Sequence, residues 1–208
     1  MNLEELEKEL VSLREKVKSL EDIEQIKILQ RAYGYYLDNQ NIDDLADLFA
    51  DDATTEMGIG INIGKKKIRE SFNKNMFKRN DGTKRLFVHL QFQGIVNIDQ
   101  GGKTAKGRWQ MLGLSTDYLG KPAGELQPMI GLGVYENEYI KENGTWKIKK
   151  LTFNRWFRCK WQDGWVKEAN IEPEEIGPPP TITLDVGDRT WRSGYKVPCH
   201  FKNPVTGR

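Results

Sequence analysis

The sequence contains few of the side chains that usually carry catalytic or metal chemistry. It has two histidines, His89 and His200, and two cysteines, Cys159 and Cys199, in 208 residues. This count excludes a zinc site built on several histidines, and the CxxC and HExxH spacings are absent. Two cysteines are too few to stabilise a secreted scaffold of this length, so we expect reduced thiols and a cytoplasmic location. Any chemistry must use few titratable groups, and His89 is the first to consider.

Other classes of protein are disfavoured by missing patterns. The sequence has no GxxxxGK[ST] loop and no GxSxG motif, which are the usual signals of nucleotide hydrolysis and α/β-hydrolase chemistry. Lys and Arg total 32 against 30 Asp and Glu, a net charge of +2, which argues against a dedicated nucleic-acid binder. No apolar run approaches the roughly 18–20 residues of a membrane span. The first residues are acidic and amphipathic, unlike a signal peptide.

Hydrophobic periodicity predicts helices first and strands afterwards. Apolar residues spaced three and four apart predict a helix over about 22–39, a short helix through Ile42–Phe49 capped by Asn41 or Asp43, and a helix over Lys65–Asn75. Strands are predicted at Thr54–Met57, Lys84–Ile98, Lys103–Asp117, Met129–Lys141 and Thr145–Cys159. This order predicts an α+β fold in which helices pack on one face of a curved antiparallel sheet.

Both ends of the chain exceed what such a domain needs, since one α+β domain takes about 100–150 residues. At the N-terminus, an a/d seam of about two and a half heptads is formed by Leu3, Leu6, Leu10, Leu13, Val17 and Leu20. We expect residues 1–20 to form an amphipathic helix that either packs on its own domain or contacts another subunit. Residues 161–208 contain six prolines and predict an extended tail anchored by Trp191, Tyr195 and Phe201.

Alternation along the strands identifies candidate pocket residues. Phe87, His89, Gln91 and Gln93 share one strand face, whose mixture of a ring, an imidazole and amides is typical of a pocket wall. The other face, with Leu86, Val88, Leu90 and Phe92, is predicted to pack against the helices or another sheet surface. His89 is either a pocket residue or a structural histidine with a satisfied hydrogen bond.

On the last strand, Arg155 shares a face with Leu151, Phe153 and Phe157. A buried arginine needs an anion or several acceptors, although a strand-edge arginine that reaches solvent is the other interpretation.

On the 22–39 helix, the directions of Tyr33 and Asp38 around the helix axis differ by about 140°, so the two residues do not share an ideal face. Asp38 at a helix C-terminus is unfavourable to the dipole and suggests a partner such as a histidine, or it is a cap. Tyr33 is either a pocket residue or a core aromatic.

Several motifs resemble the SnoaL-like branch of the nuclear-transport-factor-2-like (NTF2-like) superfamily over about residues 20–160. The resemblance is carried by Asp22–Lys27, by Leu37-Asp38, by Leu45–Ala53, by Gly107-Arg108-Trp109 and by Gly144–Ile148. It implies a cone: a curved sheet wrapped over helices around a deep apolar pocket. The fold alone implies little about function, because it occurs in enzymes, cyclases and binding modules.

Within that superfamily the sequence is most similar to the group of bile acid 7α-dehydratase and hexachlorocyclohexane dehydrochlorinase, with scytalone dehydratase more distant. The resemblance implies a catalytic dyad of Asp38 and His89, a pocket arginine at Arg155 and a catalytic tyrosine at Tyr33. One departure is Gly113, which stands where the dehydratase carries an acidic residue. The leaving-group side of the site therefore differs from that enzyme.

These observations predict a cofactor-independent lyase with no metal. Asp38 would orient His89 as the general base, Tyr33 would donate to the departing oxygen, and Arg155 would stabilise anionic charge. The substrate is expected to be a small hydrophobic aromatic or alicyclic compound, bound by Phe87, Gln91, Trp109, Met111 and Phe153. The alternatives are a non-catalytic ligand-binding protein, a small subunit like that of ring-hydroxylating dioxygenases, and a polyketide cyclase. We expect a homo-oligomer, a trimer or a dimer, that binds neither nucleic acid nor membranes.

Overall fold

A computed structural model describes residues 2–58, 60–77, 86–118, 126–171 and 179–207. The first element is a single 36-residue helix, α1 (Leu3–Asp38). It begins with a capping box in which Asn2 and Glu5 each accept from the other's backbone N–H at 2.9 Å. The prediction of a separate helix beginning near Asp22 is wrong, because α1 continues through this residue. Leu, Glu and Lys, all good helix formers, dominate the first segment, and no proline or glycine interrupts the chain before Gly34.

Only the second half of α1 packs on the domain. Its buried stripe contains Ile26, Leu29, Tyr33 and Leu37. Every residue from 2 to 18 is exposed, and the seam leucines are 45–73% exposed. The alternative in which residues 1–20 pack on their own domain is therefore wrong.

The remaining elements follow the predicted order with shifted ends. The helices are α2 (Ile42–Asp47), α3 (Lys65–Phe77) and α4 (Gly164–Lys167), with a short 3₁₀ helix at Trp191–Ser193. The strands are β1 (Phe49–Met57), β2 (Gly60–Ile63), β3 (Phe87–Ile98), β4 (Thr104–Tyr118), β5 (Leu126–Glu142), β6 (Thr145–Lys160) and β7 (Ile182–Thr183). The predicted cap at Asn41 makes no side-chain hydrogen bond. Residues 84–85 of the predicted first long strand lie outside the described ranges.

The described strands form one mixed sheet in the order β3-β4-β5-β6-β1-β2-β7. Neighbours are antiparallel except β1 and β6, which run parallel, so the fully antiparallel sheet that was predicted is wrong at this pair. The parallel pair arises because β1 directly follows the helices and lies beside the last long strand instead of the first. The α+β class is confirmed. The core lies between α1 and the inner face of the sheet and includes Phe49, Ile148 and Leu151.

The apolar face of β3 does not pack against the helices, as was predicted for it. The His89 face turns toward α1, whose Asp38 and Gln30 bond to His89 and Gln91. The apolar set therefore points outward, and Leu90 and Phe92 are 42% and 44% exposed. Gln93 leaves the His89 face because its φ of 52° lies in a register shift between Phe92 and Ile95.

A second register shift separates Arg155 from Phe157. Leu132 pairs with Phe157, whereas Gly133 pairs with Arg155, so Trp156 is an extra residue in β6. Phe157 stacks on Trp165 of α4 with ring centroids 5.2 Å apart. Arg155 and Phe157 thus lie on opposite faces, and their predicted shared face is wrong.

The C-terminal tail lies against the outer face of the sheet, opposite α1. Arg108 donates to the carbonyl oxygens of Val197 and Pro198, at 3.3 and 3.1 Å, and pairs with Glu136 at 2.5 Å. His200 contacts Glu136 as well, with Nδ1 at 2.8 Å from the carboxylate. The predicted anchors Trp191 and Tyr195 are 43% and 36% exposed, so polar contacts hold this segment more than aromatic burial does. No helix among the described residues has the length and apolar character needed to cross a bilayer.

Candidate active site

Asp38 and His89 meet where the end of α1 crosses β3. His89 Nδ1 lies 2.7 Å from Asp38 Oδ1, and the backbone N–H of His89 donates to Asp38 Oδ2 at 3.1 Å. Both carboxylate oxygens are thus used by one residue, which fixes the carboxylate and the imidazole relative to each other. Their side chains are only 20% and 16% exposed. The partner expected for an acidic residue at a helix C-terminus is therefore His89.

This contact determines the chemistry open to His89. A carboxylate is an acceptor, so it favours the tautomer with the proton on Nδ1 and leaves the lone pair on Nε2. No hydrogen bond to Nε2 is found within the described ranges. The carboxylate also stabilises the imidazolium that forms when Nε2 takes a proton. The arrangement suits a general base.

Gly34 allows α1 to approach β3 closely enough for this contact. A Cβ at this position would lie 2.9 Å from Gln91 Nε2 and 3.3 Å from the carbonyl oxygen of His89. Glycine inside a helix costs about 0.5–1 kcal/mol relative to alanine, so its presence needs a physical reason. The close approach supplies that reason, because Asp38 lies one turn further along the same helix.

We expect Gly34→Ala to lower turnover and to remove the stability gain that alanine normally gives in a helix. The added methyl group must push α1 away from the His89 backbone, which lengthens the Asp38–His89 contact one turn away. Turnover on an accepted substrate should fall by about tenfold through kcat, since a small misplacement of catalytic groups has large effects. A variant stabilised by the full alanine increment of about 1 kcal/mol, with unchanged kcat, would contradict this role.

Tyr33 and Tyr135 place two buried hydroxyl groups beside the dyad. The Tyr33 ring makes edge contacts with Phe49, Phe72 and Tyr135, the last with centroids 5.9 Å apart. Burial raises the pKa of Tyr33 well above its ordinary value, and Tyr135 and the charge of Asp38 raise it further. The Tyr33 hydroxyl finds no partner in hydrogen-bonding geometry among the described residues. A buried donor without a partner is unfavourable, so this position favours a ligand oxygen.

Tyr135 was missed by the sequence analysis. Burial raises the pKa of its hydroxyl to about 12; the neighbouring Tyr33 opposes this rise, Asp38 adds to it and Arg155 opposes it. The hydroxyl is therefore within electrostatic range of both Asp38 and Arg155. Alternation along β5 places Tyr135 on the same face as Gly131 and Gly133. Only the pairing of β5 with β4 shows that this face is the one that contains His89.

Gln91 connects the site to a buried polar network. Its Oε1 accepts from Gln30 of α1, whose own Oε1 accepts from Tyr139 at 2.6 Å and from Asn137 at 3.0 Å. Gln91 Nε2 is buried and lacks a hydrogen-bond partner among the described residues. Gln30 was also missed, although a glutamine inside the apolar stripe of a helix was a usable signal.

The other predicted site residues divide into two groups. Phe153 lies against Tyr135, with centroids 4.7 Å apart, and Arg155 pairs across the sheet with Gly133. Met111 pairs with Gln91, and Phe87 lies two residues before His89 on its face. Trp109 differs, because its indole N–H donates to Tyr139 at 2.9 Å and its ring covers Gly94, so it acts in the core. Arg155 also lies 3.5 Å from Asn170.

Two glycines lie beside His89 on the inner face of the sheet. Gly113 pairs with His89 across β3 and β4, and Gly131 pairs with Gly113 across β4 and β5. A Cβ at Gly113 would lie 3.2 Å from the Met111 sulfur and 3.8 Å from the carbonyl oxygen of Gly131. Bare backbone therefore forms the surface next to His89.

The fold is shared with several solved structures. A protein from Novosphingobium aromaticivorans, provisionally named an aromatic ring hydroxylase, has 25% identity and a TM-score of 0.56 over 69% of this chain and 96% of its own. Hexachlorocyclohexane dehydrochlorinase LinA-type3 from Novosphingobium barchaimii has 21% identity and a TM-score of 0.56 over 70% and 93%. An NTF2-like protein with a cystatin-like fold from Novosphingobium aromaticivorans has 17% identity and a TM-score of 0.54 over 69% and 88%.

The sequence comparisons add a family assignment. A comparison with curated proteins gave no match. The family described as SnoaL-like domain matches residues 18–152, which contain the first half of β6 and both members of the Asp38–His89 pair. The matched range begins after most of the exposed part of α1 and ends before the tail. The chain belongs to the SnoaL-like domain family, and its architecture is the NTF2-like, cystatin-like fold.

Proposed function

We propose that this protein is a cofactor-independent lyase that removes a proton and a leaving group from a small hydrophobic substrate. The observation that carries the proposal is the 2.7 Å contact between His89 Nδ1 and Asp38 Oδ1, which falls within the roughly 2.6–3.2 Å of a working base and its orienting partner. A binding protein has no need of an oriented imidazole. The fold also occurs in proteins named as dehydrochlorinases, so elimination is a reaction that this architecture supports.

In the proposed reaction, His89 Nε2 takes a proton from a substrate carbon. The C–H bonding electrons form the new double bond, and the leaving group departs with its own bonding pair. The imidazolium that results is stabilised by Asp38, which stays ionised. The proton on His89 is then released to solvent or to the leaving group, which regenerates the base.

Tyr33 and Arg155 stabilise the charge that develops during this step. The unpartnered Tyr33 hydroxyl donates to the leaving oxygen or halide, whose negative charge grows as its bond breaks. Arg155 lies within electrostatic range of Tyr135 and supplies positive charge to the same region. Such contacts are stronger in a site that excludes water than in bulk solvent.

The surroundings favour a flat or ring-shaped apolar substrate. Phe153, Tyr135 and Met111 supply apolar surface on the inner face, and Gly113 and Gly131 leave the backbone bare beside His89. A side chain at Gly113 would occupy the space next to the base. A ring that rests on this surface could place one acidic C–H at Nε2. We therefore propose an aromatic or alicyclic compound in which that C–H and a hydroxyl or halide lie on adjacent saturated carbons.

The test is a panel of aromatic and alicyclic alcohols and halides, assayed for alkene formation by absorbance and for halide release. At least one compound should be converted by the parent protein, without added metal or cofactor. Each compound should also be tested for binding by calorimetry. Tight binding of several compounds with no conversion, and no exchange of their acidic hydrogen with deuterated solvent, would instead favour the ligand-binding alternative.

A further inference from the structure

The N-terminal part of α1 presents an apolar seam that no part of the described chain covers. The seam consists of Leu3, Leu6, Leu10, Leu13, Val17 and Leu20, spaced three and four apart. All six are 45–73% exposed, and residues 2–18 are exposed throughout. An isolated helix of this length is marginal in water, and burial of its large apolar side chains against a partner would stabilise it. The seam is therefore built for a partner.

The seam points away from the chain's own domain. Leu13 of the seam and Ile26 of the buried stripe are thirteen residues apart, which is about 1300° of helical rotation. Their directions consequently differ by about 140°. A partner helix can lie along the seam without meeting the sheet that packs on the other side of α1. The seam is a separate surface and not a continuation of the core.

The charges beside the seam are complementary to those of a second copy. With the seam at heptad positions a and d, the flanking e positions are Glu7, Arg14 and Glu21, and the g positions are Glu9 and Lys16. In a parallel pair, Glu9 faces Arg14 and Lys16 faces Glu21 of the other copy. In an antiparallel pair, Glu7 faces Arg14 and Glu9 faces Lys16. Every charged e/g contact joins opposite charges in either direction.

We propose that residues 3–20 pair with the same segment of a second copy of this chain as a two-stranded coiled coil. The apolar seam supplies the buried surface, and the alternation of acidic and basic flanks makes the segment self-complementary. Four glutamates between residues 4 and 9 would repel an anionic lipid surface, which disfavours a membrane as the occupant. With about two and a half heptads, the contact is weak and depends on protein concentration.

The test uses two full-length charge variants and their mixture. Glu7→Lys with Glu9→Lys and Glu21→Lys makes both flanks basic, and Arg14→Glu with Lys16→Glu makes them acidic. Each variant alone should lose association, because like charges then face each other in both orientations. A one-to-one mixture should restore it, because the basic variant is complementary to the acidic one. The control, Glu4→Lys with Glu15→Lys, Ser12→Lys and Ser19→Lys, changes the net charge as much as the basic variant does, at positions that face away from the seam.

Sedimentation velocity of each sample gives the decisive mass. We expect the parent and the control to sediment as a multiple of the 24.0 kDa chain, each charge variant at half the parent mass, and the mixture at the parent mass. A parent that is monomeric across the concentration range would overturn the proposal. So would charge variants that keep the parent mass, or a mixture that fails to recover it.

Discussion

Replacing His89 by alanine should abolish most of the turnover while leaving the fold intact. A general base contributes about 10²- to 10⁴-fold to rate, so a loss of that size in kcat is expected on any accepted substrate. Asp38→Asn should cause a loss of similar order, because an amide can present its N–H₂ group to Nδ1 and favour the wrong tautomer. The measurement is steady-state kinetics beside circular dichroism of each variant.

The chain contains a matched control for this experiment. His200 also pairs with a carboxylate, with Nδ1 at 2.8 Å from Glu136, but it lies in the tail on the outer face of the sheet. His200→Ala therefore removes an equivalent histidine–carboxylate contact and should leave kcat unchanged. The double variant of His89 and Asp38 should lose little more than His89→Ala alone, because the two residues act as a unit. The dyad is wrong if either single variant stays within about threefold of the parent.

The sequence predicted the pair of residues in the site better than their surroundings. The position of Asp38 at an unfavourable helix end suggested a partner such as a histidine, and the parity of β3 placed His89 among polar residues, so two local patterns were consistent with one contact. The resemblance to a family agreed with both. The contact itself depends on Gly34, whose role appears only when the crossing of α1 and β3 is known. No local pattern reports such a close approach.

Parity failed where the strands contain extra residues. The register shifts at Gln93 and at Trp156 move the following side chains to the other face, so Gln93 and Phe157 left the faces assigned to them. An extra residue in a strand has no characteristic residue type, and the apolar alternation continues normally before and after it. The sequence pattern therefore does not show where the faces switch. Tyr135 was missed for a related reason, because the sequence gives a strand but not which neighbours it pairs with.

On β3, the polarity of a side chain does not indicate whether that side chain is buried. Leu90 and Phe92 are apolar and face solvent, whereas His89 and Gln91 are polar and face α1. Polar side chains are favourable inside when each finds a partner, and here α1 supplies Asp38 and Gln30. Pairing with α1, and not hydrophobicity, therefore determines which face of β3 turns inward.

Asp22 is expected to be the polar residue that contributes most to stability. Its Oδ1 accepts from Lys141 Nζ at 2.5 Å and from Trp146 Nε1 at 2.9 Å, and its side chain is 3% exposed. These contacts join α1 to β5 and β6. Asp22→Ala would leave the ammonium of Lys141 and the indole N–H of Trp146 without this acceptor. We expect the free energy of unfolding to fall by about 3–5 kcal/mol, measured by urea denaturation.

The same residue should make stability depend on acid pH. Burial alone would raise the pKa of Asp22, but the hydrogen bonds from Lys141 and Trp146 outweigh it, so the pKa in the folded protein lies below its ordinary value of 3.8. A group with a lowered folded pKa contributes its stability above the unfolded pKa and loses it as the pH falls through the folded pKa. The difference in unfolding free energy between the parent and Asp22→Asn should therefore be constant near neutral pH and shrink below about pH 4.

A surface pair and a double variant separate this interpretation from a general effect of charge. Asp52 also pairs with a lysine, Lys149, but its side chain is 74% exposed, so Asp52→Ala should change stability little. If the cost of Asp22→Ala comes from the charge left on Lys141, then adding Lys141→Met should recover part of it. Additive losses in the double variant would mean that Lys141 stabilises α1 independently of Asp22. Recovery would instead establish that the ion pair, and not either residue alone, fixes the helix that carries Asp38.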